Sequence, residues 1–169
     1  VDAVIVTHLH FDHFDEVAAK VLPKALTLFS QSEEEAQILR GMGFDDVRVL
    51  SGEGIAFDGV RLYRTKCDHG SSNLVTVDGY KDRGLTEKAS GVVFESVAET
   101  ERFYLAGDTI YCQLVVDAVE KFKPGIVAVN AAGAQYPLGH LIIMNQYDVR
   151  SLMRRFPTLK VIATHVEGV

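Results

Sequence analysis

Thr7-His8-Leu9-His10-Phe11-Asp12-His13-Phe14-Asp15 decides how this chain is read. From His8 to Asp15, eight residues hold three of the chain's six histidines and two aspartates. The stretch follows Val1-Asp2-Ala3-Val4-Ile5-Val6, a mostly apolar run whose β-branched residues predict a buried strand over Ala3–Thr7. A solvated loop has no reason to concentrate imidazoles at this spacing. A metal site does, because neutral imidazole and carboxylate are good ligands for zinc and its neighbours.

Working outward, the next segments alternate helix and strand signals. Asp15 caps a short helix that Pro23 stops, and Ala25–Phe29 reads as a strand. Ser32-Glu33-Glu34-Glu35 has the form of a capping box, opening a helix to Arg40 that Gly41 and Gly43 close. Val47–Leu50 is a third strand. Asp58-Gly59 then turns a hairpin between Ile55–Phe57 and Val60–Thr65. From Asp68 to Ser90 the chain is largely polar, with one short apolar patch at Leu74–Val77. A stretch this long suggests a functional lid or an insertion. Gly91–Glu95 and Arg102–Ala106 read as paired strands around Glu99-Thr100-Glu101. The last third alternates again: a helix from Cys112 to Phe122, a strand at Ile126–Val129, a small-residue loop from Asn130 to Gly139, a helix from Asn145 to about Phe156, and a strand at Lys160–Thr164. The class is α/β.

The 169 residues suit one domain, 1–169, with a real core: 47% of them are hydrophobic and 24% charged. Both ends read as cut from something longer. The formal net charge of −6 disfavours nucleic acid as the main partner but leaves an anionic substrate open, since bound metal ions supply local positive charge. Cys67 and Cys112 make no disulfide framework, which points to a reducing, cytoplasmic setting. No apolar run is long enough to span a membrane.

Functional residues in such sheets gather just beyond strand ends. Four places qualify: the opening cluster, Asp68-His69-Gly70, Gly107-Asp108-Thr109, and His165 after Val161–Thr164. Several have a plain structural reading as well. Asp108 or Thr109 would serve as a helix cap, His69 as a turn residue, and His165 as an exposed residue. Asp15 reads as a cap rather than a catalyst, and Cys67 as a small buried hydrophobe. Asn130 fits a substrate contact and a loop turn equally well.

Thr-His-x-His-x-Asp-His after an apolar strand, followed in order by His-Gly, Gly-Asp-Thr and a terminal strand ending in His, resembles the metallo-β-lactamase superfamily along nearly the whole chain. Gly-Asp-Thr before a helix and Val-Asn-Ala-Ala-Gly-Ala after a strand are similar to its lactonase-like, ascorbate-phosphate lactonase branch and, more distantly, to phospholipase-D-type members.

The resemblance implies a four-layer αββα sandwich lacking its N-terminal strands here. It also implies two divalent metal ions, Zn2+ first, with Mn2+ or Fe2+ able to use the same ligands. His8, His10 and His69 would hold one ion, and Asp12, His13 and His165 the other, with Asp108 bridging. A metal-activated hydroxide would attack an ester, lactone or phosphodiester of a small-molecule substrate, with Asp12 orienting it. His140 matches no ligand position and is left for substrate contact or leaving-group protonation. The alternatives on this fold are a di-iron redox protein, which would carry an acidic residue where His10 stands, and a non-catalytic member, which would have lost ligands.

Overall fold

In the computed structural model of the chain, residues 1–69, 89–135 and 141–166 are described. Gly70, the Leu74–Val77 patch and His140 lie outside them. β1 (Ala3–Ile5), β2 (Thr27–Ser30) and β3 (Val47–Val49) form a parallel sheet in that order. Two helices make its crossovers: α1 (Glu16–Val21) and α2 (Glu33–Gly41). β1 is shorter than the apolar run predicts, although Val6 N–H still donates to the Phe29 carbonyl at 2.8 Å. Beyond Val6 the backbone leaves the sheet to carry the histidines.

The caps behave as their chemistry dictates. The Asp15 carboxylate accepts from Ala18 N–H at 2.7 Å. The Ser32 hydroxyl accepts from Glu35 N–H, while Glu35 itself is buried and accepts from the Gln31 side-chain amide at 2.9 Å. Glu35 is therefore part of the interior.

The second sheet holds six strands in sequence order: β4 (Ile55–Phe57), β5 (Val60–Lys66), β6 (Ser90–Ser96), β7 (Phe103–Leu105), β8 (Ile126–Asn130) and β9 (Lys160–Thr164). Asp58 and Gly59, with φ of 44° and 78°, make the β4–β5 turn, whose twist requires positive φ at both residues. β4 to β7 are antiparallel neighbours; β7, β8 and β9 are parallel. It follows that β5, β7, β8 and β9 all run the same way, and their C-terminal ends share one edge of the sheet. Helices α3 (Gln113–Phe122) and α4 (Gln146–Arg155) make the two parallel crossovers. Lys123, in the left-handed region at φ 48°, ends α3, and Asn145 caps α4 with a full capping box through Asp148.

Side-chain alternation distributes the core. Leu28 packs with Val6, Leu39 and Val47 in a cluster that also takes in Ala18 of α1 and Leu22 just after it. Its neighbour Phe29 points the other way and packs with Leu50, Leu62 and Val92, joining residues of both sheets. Val93, one residue on, belongs to a third cluster with Tyr104, Val127 and the apolar face of α3. Phe29 and Tyr104 are fully buried. Truncating either to Ala would cost about 3–5 kcal/mol by loss of buried area plus the cavity left behind. The sheets are also tied at the site edge, where Ser90 N–H donates to the Thr7 carbonyl at 3.1 Å.

Among the described residues no helix is long and apolar enough to cross a membrane.

Candidate metal centre

The shared strand direction decides where the polar residues meet. His69 lies beyond β5, Asp108 beyond β7 and His165 directly after β9, all at the same edge of the second sheet. The opening cluster leaves β1 toward that edge. Gly107 makes the approach of Asp108 work. It has φ +70°, and a Cβ there would lie 2.7 Å from the Ser90 carbonyl oxygen, so glycine alone fits.

All seven residues singled out in the sequence converge. The donor atoms of His8, His10 and His69 lie within 4.8 Å of one another, as do those of His8, His13 and Asp108, and those of Asp12, His13 and His165. His69 Nε2 is 3.2 Å from His10 Nδ1. Asp108 Oδ2 stands at the middle, 3.2 Å from His13 Nε2, 3.6 Å from His69 Nε2 and 3.7 Å from His8 Nε2. Asp12 Oδ2 lies 3.3 Å from His165 Nε2 and 3.7 Å from His13 Nε2.

The structural alternatives for these residues fare differently. Asp108 does not cap α3, whose N-cap is Cys112. Thr109 is no cap either: its hydroxyl accepts from Asp68 N–H at 3.0 Å and so fixes the strand end that carries His69. His69 is buried rather than turned to solvent, and its Nδ1 donates to the Ile142 carbonyl at 2.7 Å, which leaves Nε2 for the cluster. His165 is half-buried and sits at φ 52°, a left-handed conformation that re-aims the chain as β9 ends. Asp15 caps α1, as expected. Burial pushes the Cys67 thiol well above its usual range, and its Sγ lies 3.1 Å from the Ala106 carbonyl, which suits an inert thiol.

Protonation follows the geometry. Burial, reinforced by the neighbouring imidazoles, lowers the His8 pKa to about 2 and the His10 pKa to about 4. Both rings are neutral near pH 7 and hold lone pairs. His13 goes the other way: burial lowers its pKa, but the hydrogen bond and charge of Asp108, with Asp12, raise it above 6.5 overall. Burial raises the Asp108 pKa, yet the His13 and Asn130 hydrogen bonds and the nearby imidazoles bring it far below the usual carboxylate range. The carboxylate is charged and the imidazoles around it converge on it.

This donor set fits divalent cations. His8 Nε2 is wholly buried and has no hydrogen-bond partner among the described residues, a costly condition for a polar atom unless something else engages it. Mixed imidazole and carboxylate donors suit Zn2+, Mn2+ and Fe2+ alike.

Two supporting contacts were not visible in the sequence. Asn130, expected to touch substrate or turn a loop, is buried and donates from Nδ2 to Asp108 Oδ1. The Ile142 carbonyl, far along the chain, orients His69. The Asn130 signal was present only as a polar residue closing an apolar strand, β8. Nothing in the sequence marked Ile142.

Comparison with known proteins agrees in fold over nearly all of this chain. The chain is 38% identical over 170 residues to the UPF0173 protein YddR of Bacillus subtilis, covering all of this chain and 63% of that one. It is 26% identical over 165 residues to a UPF0173 metal-dependent hydrolase of Rubrobacter xylanophilus, covering 97% of this chain and 63% of that one. The crystal structure of isothiocyanate hydrolase from Delia radicum gut bacteria superposes with a TM-score of 0.88 at 36% identity, over all of this chain and 64% of that one. The chain thus spans under two thirds of each of these relatives, and its α/β fold is metallo-β-lactamase-like. Residues 1–166 match the family model of the beta-lactamase superfamily domain, and the chain belongs to that family.

Proposed function

We propose that the chain carries the catalytic centre of a metal-dependent hydrolase with two metal positions. The observation that supports this most is the placement of Asp108 Oδ2 between the imidazoles of both groups. In this reading His8, His10 and His69 would hold one ion and Asp12, His13 and His165 the other, with Asp108 available to both. Zn2+ is the first choice by ligand type, with Mn2+ and Fe2+ next. Ions so held supply a lowered pKa for water and polarise the atom under attack.

The chain's own residues do the rest. His8 and His10 stay neutral and keep their lone pairs inward. Asp12, more exposed than Asp108, faces the open side of the cluster, where it orients the attacking water and accepts its proton. Layers of helix, sheet, sheet and helix place the site at the sheets' common edge, in the αββα manner.

The substrate is a small molecule with an electrophilic centre. Ester, lactone and phosphodiester bonds suit this chemistry, and lactone fits the lactonase-like motifs. The isothiocyanate hydrolase likeness adds an isothiocyanate carbon to that range. The names of the Rubrobacter relative and the isothiocyanate hydrolase support an enzyme, and the free thiols of Cys67 and Cys112 support a reducing, cytoplasmic setting.

The test is metal analysis combined with hydrolysis assays on an ester, a lactone, a phosphodiester and an isothiocyanate, before and after chelation. The reading expects about two metal equivalents and chelator-sensitive turnover of at least one substrate. A folded, metal-loaded protein that turns over none of the four would overturn it.

A further inference from the structure

The two oxygens of Asp108 have different surroundings. Oδ2 faces His8, His13 and His69. Oδ1 accepts a hydrogen bond from Asn130 Nδ2. Asn130 is itself held: the Thr164 hydroxyl donates to Asn130 Oδ1 at 2.7 Å and also lies 3.2 Å from the Val129 carbonyl. Each link removes a degree of freedom. An ionised carboxylate only accepts, so the Asn130 amide must present its NH2 to Asp108. Its oxygen then faces Thr164, whose single proton completes the chain. Asp108 and Asn130 are both more than nine-tenths buried, so water does not compete for these bonds.

The three residues come from neighbouring parallel strands. Asp108 follows β7, Asn130 closes β8, and Thr164 closes β9 in register with Asn130. The side chains therefore step across the sheet edge to the carboxylate, and the residue after Thr164 is His165.

We infer that Asn130, steadied by Thr164, is a positioning residue that spends Oδ1 of Asp108 and leaves Oδ2 alone to serve both metal positions. This rests on the two-position reading given above. A carboxylate free to rotate would offer both oxygens to one ion and give up its place between the two. Asn130 and Thr164 enforce the shared mode without touching metal or substrate.

The test is titration of chelator-stripped protein with Co2+, followed by visible absorption, in the wild type, Asn130→Ala and Thr164→Val. Circular dichroism checks the fold of each. Wild type takes up two equivalents. Asn130→Ala is expected to weaken the second equivalent about 10–100-fold, the usual effect of removing a partner that orients a ligand, and to change the ligand-field bands. Thr164→Val keeps the side-chain volume and frees the amide, so a smaller loss in the same equivalent is expected. Should Asn130→Ala not fold, Thr164→Val decides alone. Wild-type affinity and bands in a folded Asn130→Ala, or in Thr164→Val when that variant decides, overturn the positioning role and leave the two-metal reading standing. Wild type binding fewer than two equivalents removes both.

Discussion

The two halves of the centre are built differently. His8, His10 and His69 are all buried. His69 is oriented by a main-chain carbonyl, and His8 Nδ1 lies 3.2 Å from the Thr7 hydroxyl. Asp12, His13 and His165 are more open: Asp12 is exposed, and His13 and His165 are half-buried. One half is held by packing and by a main-chain contact. The other is more exposed and pairs the Asp12 carboxylate with the imidazoles of His13 and His165. Under the proposed hydrolytic reading, the buried position would anchor an ion while the more accessible one exchanges solvent for substrate.

Four experiments break or sharpen this contrast. Replacing Asp12 by Ala touches the open half alone. Turnover is expected to fall about 10³-fold or more through loss of the group proposed to take the proton, and near-wild-type activity would sink that proposed role.

The halves also differ in sign with pH once metal is stripped. His8 and His10 take up protons near pH 6.5 in the unfolded chain, but only near pH 2 and 4 in the folded one. Stability they contribute is intact above pH 6.5 and is lost as pH falls. For His10 alone the full loss is about 3 kcal/mol. His13, with its raised pKa, contributes stability below pH 6.5 that is lost as pH rises through its folded value. Denaturant melts of stripped protein should weaken from pH 6.5 toward 4, and His10→Gln should flatten that dependence. A pH-independent midpoint contradicts the buried, neutral assignment.

Third, His8→Ala is expected to lower affinity for the first equivalent by more than about 100-fold, beyond the effect of losing an orienting partner. His165→Ala should spare the first equivalent and weaken only the second. Equal effects from the two would erase the distinction between the halves. Last and smallest, Asn145→Ala removes the α4 cap and should cost about 1 kcal/mol in denaturant unfolding while leaving metal titration unchanged. A change in titration there would show that the centre is less independent of the helical layer than its geometry indicates.

Local chemistry was the legible part of the sequence. Asp15 and Asn145 cap as their side chains predict, Asp58-Gly59 turns its hairpin, and the order of strand-end polar residues pointed to one cluster. These features depend on neighbours in the chain. What escaped reading depends on distant ones. Nothing near Val49 says that β3 ends one sheet and β4 begins another; that division is set by which faces of Phe29 and Leu62 find each other. Nothing near Asn130 says that Asp108, 22 residues earlier, needs its amide. Glu35 looked like surface capping chemistry, yet the Gln31 amide draws it inside.

The contact between Asp12 and His165 closes a span of 153 residues. In the unfolded chain, bringing these two ends together carries a loop-closure entropy that grows only slowly with length but is near its largest for so long a span. Any ion shared by Asp12 and His165 would therefore act as a cross-link. It can be gripped only after both sheets have formed and met, so its binding energy is drawn directly into the stability of the whole fold. Loading of that position reports completed folding, and resistance to unfolding should rise with it.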